Sequence, residues 1–533
     1  MKSVMNGSHR FALAPQINNI QRSTFDRSSG YKTTFNADYL IPFYADEVLP
    51  GDTVKVKTTT LMRIMSPLLT PIMDNLFCDL HFWYVPLRIL QANFVKLMGE
   101  QDNPGDSISY LTPQLAIPAG GFAEGSLADY FGLPTKVQSD GTSPITLYHF
   151  RAYNAIWNFA YRDQNLQNSV PFRTTDSGDA WSDFVLLKRG KRHDYFTSAL
   201  TSPQKGAAAS MPIGGSAPVL GIGKVNQNFP SAPNVWETNA GATVNYPYGV
   251  LIDPAAANQQ FYIKGSAATG GTPQIFADLS QATNSTINTV RTAVTMQQFL
   301  ERDARGGTRY IELIPSHFGV TIPDFRLSKP EYLGGGTTRV GVNSVSQTAP
   351  ASGGSTALGN QAAYGVFGHN GIGFIKSFVE HGVLIGLVSV RADLNYQQGL
   401  HKMWSRSTRY DFYWPTFAHL GEQAISNREI YLQDTSADSL VFGYQERYAE
   451  YRYKPSIITG QFRANAATPL TMWHLVQNFS SLPALNSTFI QSSTPMAQIK
   501  TVTTAPDFIG DFYIQSIWAR PMPVYSVPGL SRF

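Results

Sequence analysis

Four strand-like segments are scattered over almost the whole chain, and that scatter constrains the fold more than any other feature. From Val54 to Ile64 the even positions read Val, Val, Thr, Thr, Met and Ile, while the odd ones include Lys55, Lys57 and Arg63. A period of two predicts a half-buried strand, and Leu49-Pro50-Gly51-Asp52 just before it predicts a turn. Cys78 to Val85 (CDLHFWYV) is a short, aromatic-rich strand candidate that ends at Pro86. Val383 to Val390 is apolar on both faces and rich in β-branched residues, as in a buried sandwich strand. Phe512 to Ala519 (FYIQSIWA) forms a last strand before Pro521-Met522-Pro523. Strands this far apart close a sheet only by long-range pairing, as in Greek-key and jelly-roll folds. The expected class is mainly β.

Two helices interrupt the pattern. Phe150, Tyr153, Trp157, Ala160 and Tyr161 fall at helical spacing ahead of Val170-Pro171. A second helix is predicted over about 290–304, with Val290, Val294 and Leu300 apolar. Arg302 and Arg305 in its last turn and Gly306-Gly307 after it mark the end. Composition then shifts sharply. The ninety residues from Thr201 to Val290 hold six charges, whereas the sixty from His401 to Gly460 hold fourteen charges and twelve aromatics. The low-charge block reads as a long surface excursion set into a compact core, which divides the chain into 1–200, 201–290 and 291–533. The Gly/Ser/Ala-rich stretch from Gly334 to Gly373 reads as a further flexible loop.

Charge narrows the function classes. Only 15% of the residues are charged, where soluble domains carry about 25%. Either the surface is polar but uncharged, or other subunits cover much of it; composition leaves both open. A net charge of +4 on 58.7 kDa is far from the dense basic footprint of a dedicated nucleic-acid neutraliser. Cys78 is the single cysteine, which excludes an internal disulfide and a Cys-rich zinc site. No apolar h-region follows Lys2, and the longest apolar stretch falls far short of the roughly 20 residues that span a bilayer. The expectation is a soluble chain without membrane insertion.

A catalytic reading finds little support. No two histidines lie closer than His369 and His381, so a helical metal pair is absent. Pro218 stands where a phosphate loop ending at Gly223-Lys224 needs its first glycine, and no nucleophile elbow occurs. Asp46, Glu47 and Asp52 offer hard oxygens for calcium, but solvated acids beside a turn are the plainer account. No enzyme activity, metal or cofactor is expected. Two segments suit nucleic acid. Lys188, Arg189, Lys191 and Arg192 form the tightest basic run, and Gln445 to Lys454 (QERYAEYRYK) interleaves Arg447, Arg452 and Lys454 with three tyrosines. Cations beside ring faces are what single-strand binders use. The competing account makes the tyrosines interface or core residues, with Glu446 and Glu450 pairing the arginines.

Longer strings carry a resemblance. Glu301 to Tyr310 (ERDARGGTRY), Trp404 to Pro415 (WSRSTRYDFYWP), Phe442 to Ser456 (FGYQERYAEYRYKPS) and Ala519 to Leu530 (ARPMPVYSVPGL) resemble the major capsid proteins of gokushoviruses. These are small single-stranded DNA bacteriophages of the microvirus group. Arg151 to Asn154, Arg162 to Leu166, Lys191 to Phe196 and Glu331 to Gly336 match as well, and in the same order. The likeness weakens over about 201–290 and again near 340–360.

The resemblance implies an eight-stranded antiparallel jelly roll with long loop insertions, packed into an icosahedral shell of sixty copies. It implies a virion protein assembled in the bacterial cytoplasm through pentamers and with a scaffolding protein. It further implies packaged circular single-stranded DNA, a small basic internal DNA-binding protein, a minor or pilot protein and a host-cell receptor. The insertion 201–290 would project near the threefold axes, with Trp236, Tyr246, Tyr248 and Phe261 covered by neighbouring copies. Two other classes stand beside it. A secreted carbohydrate-binding or carbohydrate-active β-sandwich lacks a signal sequence and an acid pair, and a monomeric single-strand binder conflicts with the small net charge.

Overall fold

The computed structural model describes residues 21–138, 144–207, 287–306, 310–319, 329–348 and 358–525. The chain divides into two compact units, Gln204–Arg302 and the remainder. Most of the 201–290 block lies outside the described residues, as do Trp236, Tyr246, Tyr248 and Phe261.

Fourteen strands are described. In chain order they are β1 (Ser23–Asp26), β2 (Ser29–Phe35), β3 (Ile41–Val48), β4 (Thr53–Ile64), β5 (Leu76–Pro86), β6 (Gln114–Leu115) and β7 (Ile145–Thr146). The second half supplies β8 (Glu331–Arg339), β9 (Gly341–Ser346), β10 (Gln361–Ser377), β11 (Gly382–Ala392), β12 (Glu422–Ser426), β13 (Val441–Glu446) and β14 (Phe508–Arg520). The larger sheet runs β1-β14-β4-β10-β9, with β2 also on β14, and the smaller runs β3-β11-β5-β8. All pairings in both are antiparallel. Taking β2-β14-β4-β10 against β3-β11-β5-β8 gives four strands facing four, with chain neighbours such as β4 and β5 in opposite sheets. That order follows the jelly-roll pattern.

The four strands expected from sequence are present, β4 one residue longer than its apolar signal and β5, β11 and β14 three to five longer. β4 alternates without a break, its even residues buried and its odd ones outward. Aromatic rings join the two sheets: Phe43 stacks on Phe512 at 4.9 Å, and Phe82 meets Phe374 at 5.4 Å. The apolar run in β11 has a specific cause. Leu384, Val388 and Val390 face the sandwich core, while Val383, Ile385 and Leu387 face a second core. That second core includes Phe150 and Tyr153 of the helix Tyr148–Ile156.

This helix continues as a single π turn over Trp157–Tyr161. The wider turn takes Ala160 off the expected buried face, and it is exposed. Arg151, on the same helix, is 1% exposed yet fully bonded. Its guanidinium donates to both oxygens of Asp179 and to the carbonyls of Leu90, Thr175 and Ser177, which staples loop 171–187 to the helix. The second expected helix spans Ile287–Arg305, with Val294 exposed.

One expectation is corrected. Gly334 to Gly373 is not a loop: β8, β9 and the greater part of β10 occupy all of its described residues except 340, 347–348 and 358–360. Its glycines serve close approach. A Cβ on Gly373 would overlap the Val56 carbonyl, and one on Gly335 would overlap the Leu80 carbonyl. Side chains at those points would push the strands apart, so a composition that imitates a linker is here a packing requirement.

Candidate functional site

The basic run lies along the margin of the smaller sheet and turns largely inward. Arg189 donates to Asp79 on β5 and, at 2.9 Å, to Ser389 on β11. Arg391 reaches the same Asp79 oxygen at 2.9 Å and the Gly190 carbonyl at 2.7 Å. Burial works against charge on Asp79, but Arg189, Thr337 and Arg391 outweigh it and hold its carboxyl below the ordinary range. Burial, followed by repulsion from Arg189, brings Arg391 down to about 10 and His81 down to about 4. His81 is accordingly a neutral ring, 2.6 Å from the Tyr161 hydroxyl.

Lys191 is 7% exposed, its ammonium 4.2 Å from the Phe489 ring centre, and burial lowers its pKa to about 8. Arg192 pairs with Asp393 at 2.8 Å and covers Phe77, while Lys188 sits over Tyr39. Arg189 and Lys191 therefore present no free cation outward. Their charge is engaged within the subunit, which is not the exposed patch a nucleic-acid contact needs.

The tyrosine segment divides differently. Tyr448 is buried in a left-handed conformation (φ 60°), with the Arg447 guanidinium 5.1 Å from its ring. Arg452 pairs with Glu446 at 2.6 Å. Tyr451, Tyr453 and Lys454 are exposed. Here they join the run that begins at Trp404. Arg406 lies 4.3 Å from the Tyr451 ring and 5.3 Å from Phe412, and its charge faces buried Glu450 at 3.7 Å. Tyr413 packs on Tyr448 at 5.1 Å.

Local caps fix this surface. Asp411 accepts from the backbone amides of Thr408 and Ser407, and those bonds hold its carboxyl down at about 2. The result is an aromatic surface left uncovered. Trp404 is 72% exposed, and Tyr410, Phe412, Tyr413, Trp414, Tyr451 and Tyr453 all lie between 49% and 54%. Large exposed apolar patches mark contact sites, and aromatic residues with arginine are what interface centres favour. The twelve aromatics between His401 and Gly460 were the available signal for it.

Other acids are committed to structure. Asp46 pairs with Arg27 at 2.9 Å, and buried Asp52 pairs with Arg520 at 2.9 Å while accepting the Leu49 amide. In a cleft beside β11, Asp74 accepts from the Leu475 amide and Asn395, and Asp393 holds Arg192. Among the described residues no cluster of three or more His, Cys, Asp or Glu is placed to hold a metal, and no helix is long and apolar enough to cross a membrane.

A β-sandwich with an uncovered aromatic surface and no catalytic constellation on view suits a building block. Comparison with known proteins decides the matter, because the family of phage capsid proteins (F protein) matches residues 15–530. The chain belongs to that capsid family. It is 47% identical over 531 residues to capsid protein VP1 of Bdellovibrio phage phiMH2K, covering 98% of each chain. It is 43% identical over 597 aligned positions to capsid protein VP1 of Chlamydia phage 1, covering 100% of this chain and 99% of that one. With capsid protein VP1 of Spiroplasma virus 4 the identity is 35% over 538 positions, at 97% and 96% coverage. The gokushovirus resemblance is thereby supported over the full length. This capsid-family chain is a structural component of the virion, not an enzyme, and it self-assembles into a shell.

Proposed function

We propose that sixty copies of this chain close an icosahedral shell around circular single-stranded DNA, by way of pentamers and with a scaffolding protein. The observation that carries the reading is the aromatic surface at 404–414 and 451–453, whose Arg406 and Arg452 are already matched and whose rings have no cover among the described residues. Capsid proteins of three related phages, each aligned over 96% or more of its length, support the shell. Charge sets the division of labour. Sixty copies at +4 supply on the order of +240, against thousands of phosphates in a genome of a few thousand nucleotides. Counterions and a small basic internal protein carry the rest, and a minor or pilot protein completes the particle. The insertion 201–290 serves as a threefold protrusion that attaches the particle to a host receptor.

Negative-stain microscopy of the expressed full-length chain tests the shell. Closed particles or pentamer-sized assemblies are expected, and a stable 58.7 kDa monomer at assembly concentrations would refute it. Deleting 201–290 should leave particles intact and lower adsorption to host cells by tenfold or more (roughly 1.4 kcal/mol of contact energy). Unchanged adsorption would remove the receptor role and leave the shell standing.

A further inference from the structure

The outward face of the larger sheet carries cations that the fold leaves unmatched. β4 lies in the middle of that sheet, and Lys55, Lys57, Thr59, Leu61 and Arg63 all point outward and are exposed. Strand residues advance about 3.4 Å each, so alternate positions recur every 6.8 Å or so, a repeat that a stretched phosphodiester backbone can follow. Arg22, bonded to Thr53 Oγ1 and to the Ala519 carbonyl, extends the row at its Lys55 end.

Carboxylates do not offset this row. On the neighbouring strands Asp511 is held by Lys32 at 3.3 Å, and Asp26 accepts from the Ser28 amide at 2.9 Å. Lys55, Lys57 and Arg63 themselves have no ion pair among the described residues. Two rings flank the row. Tyr513, opposite Thr59 across the β14–β4 pair, is 53% exposed. Tyr364, two residues along β10 from the partner of Arg63, is 49% exposed. Between them Thr59 donates to Asn370 at 3.1 Å, a polar rung across the strands.

We propose that this sheet face binds single-stranded DNA, with Lys55 and Lys57 on adjacent phosphates, Arg63 on a phosphate about 20 Å farther along the strand, and Tyr513 and Tyr364 offering ring faces to bases. The inference rests on the reading that the shell encloses such DNA. The chemistry differs from that of the aromatic surface, where Glu450 and Glu446 already match Arg406 and Arg452. Unmatched cations beside open rings suit a polyanion with flat bases. A second copy of the same face, or a basic protein, would bring like charges together.

The test titrates the full-length subunit with a fluorescent oligo(dT) of about 20 nucleotides across a salt series, reading anisotropy. Each phosphate contact on a single strand contributes about 0.7 to the slope of log affinity against log salt. The triple variant Lys55→Gln, Lys57→Gln, Arg63→Gln should bind at least tenfold more weakly and lose about 2 from that slope. Tyr513→Ala should weaken binding several-fold with the slope unchanged, which separates stacking from charge and does not depend on the triple variant folding.

Wild-type affinity and slope in the triple variant would overturn the proposal. So would competition by polyglutamate of matched charge as effective as that by oligo(dT), since the face would then be a general polyanion surface. Particle formation is scored on the same preparations. Assemblies from both proteins with equal DNA binding remove the sheet face alone, whereas a wild-type chain that forms neither particles nor pentamers removes the enclosing reading itself.

Discussion

Replacing Asp79 with Ala should destabilise the subunit by about 3–5 kcal/mol, the usual result of removing one partner from a buried ionic group. The side chain is 3% exposed and stands between two guanidinium groups, Arg189 and Arg391. Without it those two positive charges face each other in a low-dielectric margin of the sandwich, with Arg391 itself largely buried. Thr337 on β8 loses its acceptor at the same stroke, so the edge of the smaller sheet loosens with the ion pair. Asp79→Asn, which keeps an acceptor oxygen, should cost less. Urea unfolding of the unassembled subunit reads both, and a loss below about 1 kcal/mol for the Ala variant would show that the network is not what holds the segment 188–192.

The same carboxyl predicts a pH dependence. Its folded pKa lies below the unfolded value of about 3.9. Its contribution is therefore complete above that value and is lost as pH falls through the lowered folded one. Wild-type stability should decline below about pH 4 more steeply than that of the Asn variant.

Truncating the aromatic surface should have the opposite signature, with assembly lost and the fold kept. Trp404→Ser and Phe412→Ser remove rings that are 72% and 50% exposed. Surface changes of this kind shift subunit stability by about 0.5 kcal/mol or less. At an interface centre, loss of an aromatic anchor costs about 2 kcal/mol or more. That raises the concentration needed for association roughly 30-fold for each contact. Symmetry repeats the loss in every subunit, so the double variant should sediment as soluble subunits where the wild type forms particles. Normal particle yield from the double variant would place the shell contacts on another surface. Because Arg406 and Arg452 are already matched, moderate salt should disturb this contact little.

What could be read from sequence divides along physical lines. The four strands were legible because each carries a local signal: strict alternation in β4, rings in β5, apolar residues on both faces in β11, and alternation again in β14. Strands β8 to β10 were not, because glycines such as Gly335 and Gly373 are required by the strands packed beside them and look like a linker from within a local window. The inward turn of the basic run was hidden for a related reason. Asp79, which turns Arg189 inward, is 110 residues upstream. Lys55, Lys57 and Arg63 were visible as the polar half of a strand, but only the sheet order and burial reveal a face exposed among the described residues. The low overall charge of 15% finds its counterpart in the ring-rich surface, which stands open among the described residues.

The double-sided burial of β11 has a mechanical meaning for a container. One strand serves as the common plate of two apolar layers, so neither layer can slip or open without disturbing the other. A subunit built this way transmits load across its thickness as a single slab. The compliant joints of the particle then lie at the seams between slabs, where a shell that must hold its genome and later release it can give way without any subunit unfolding.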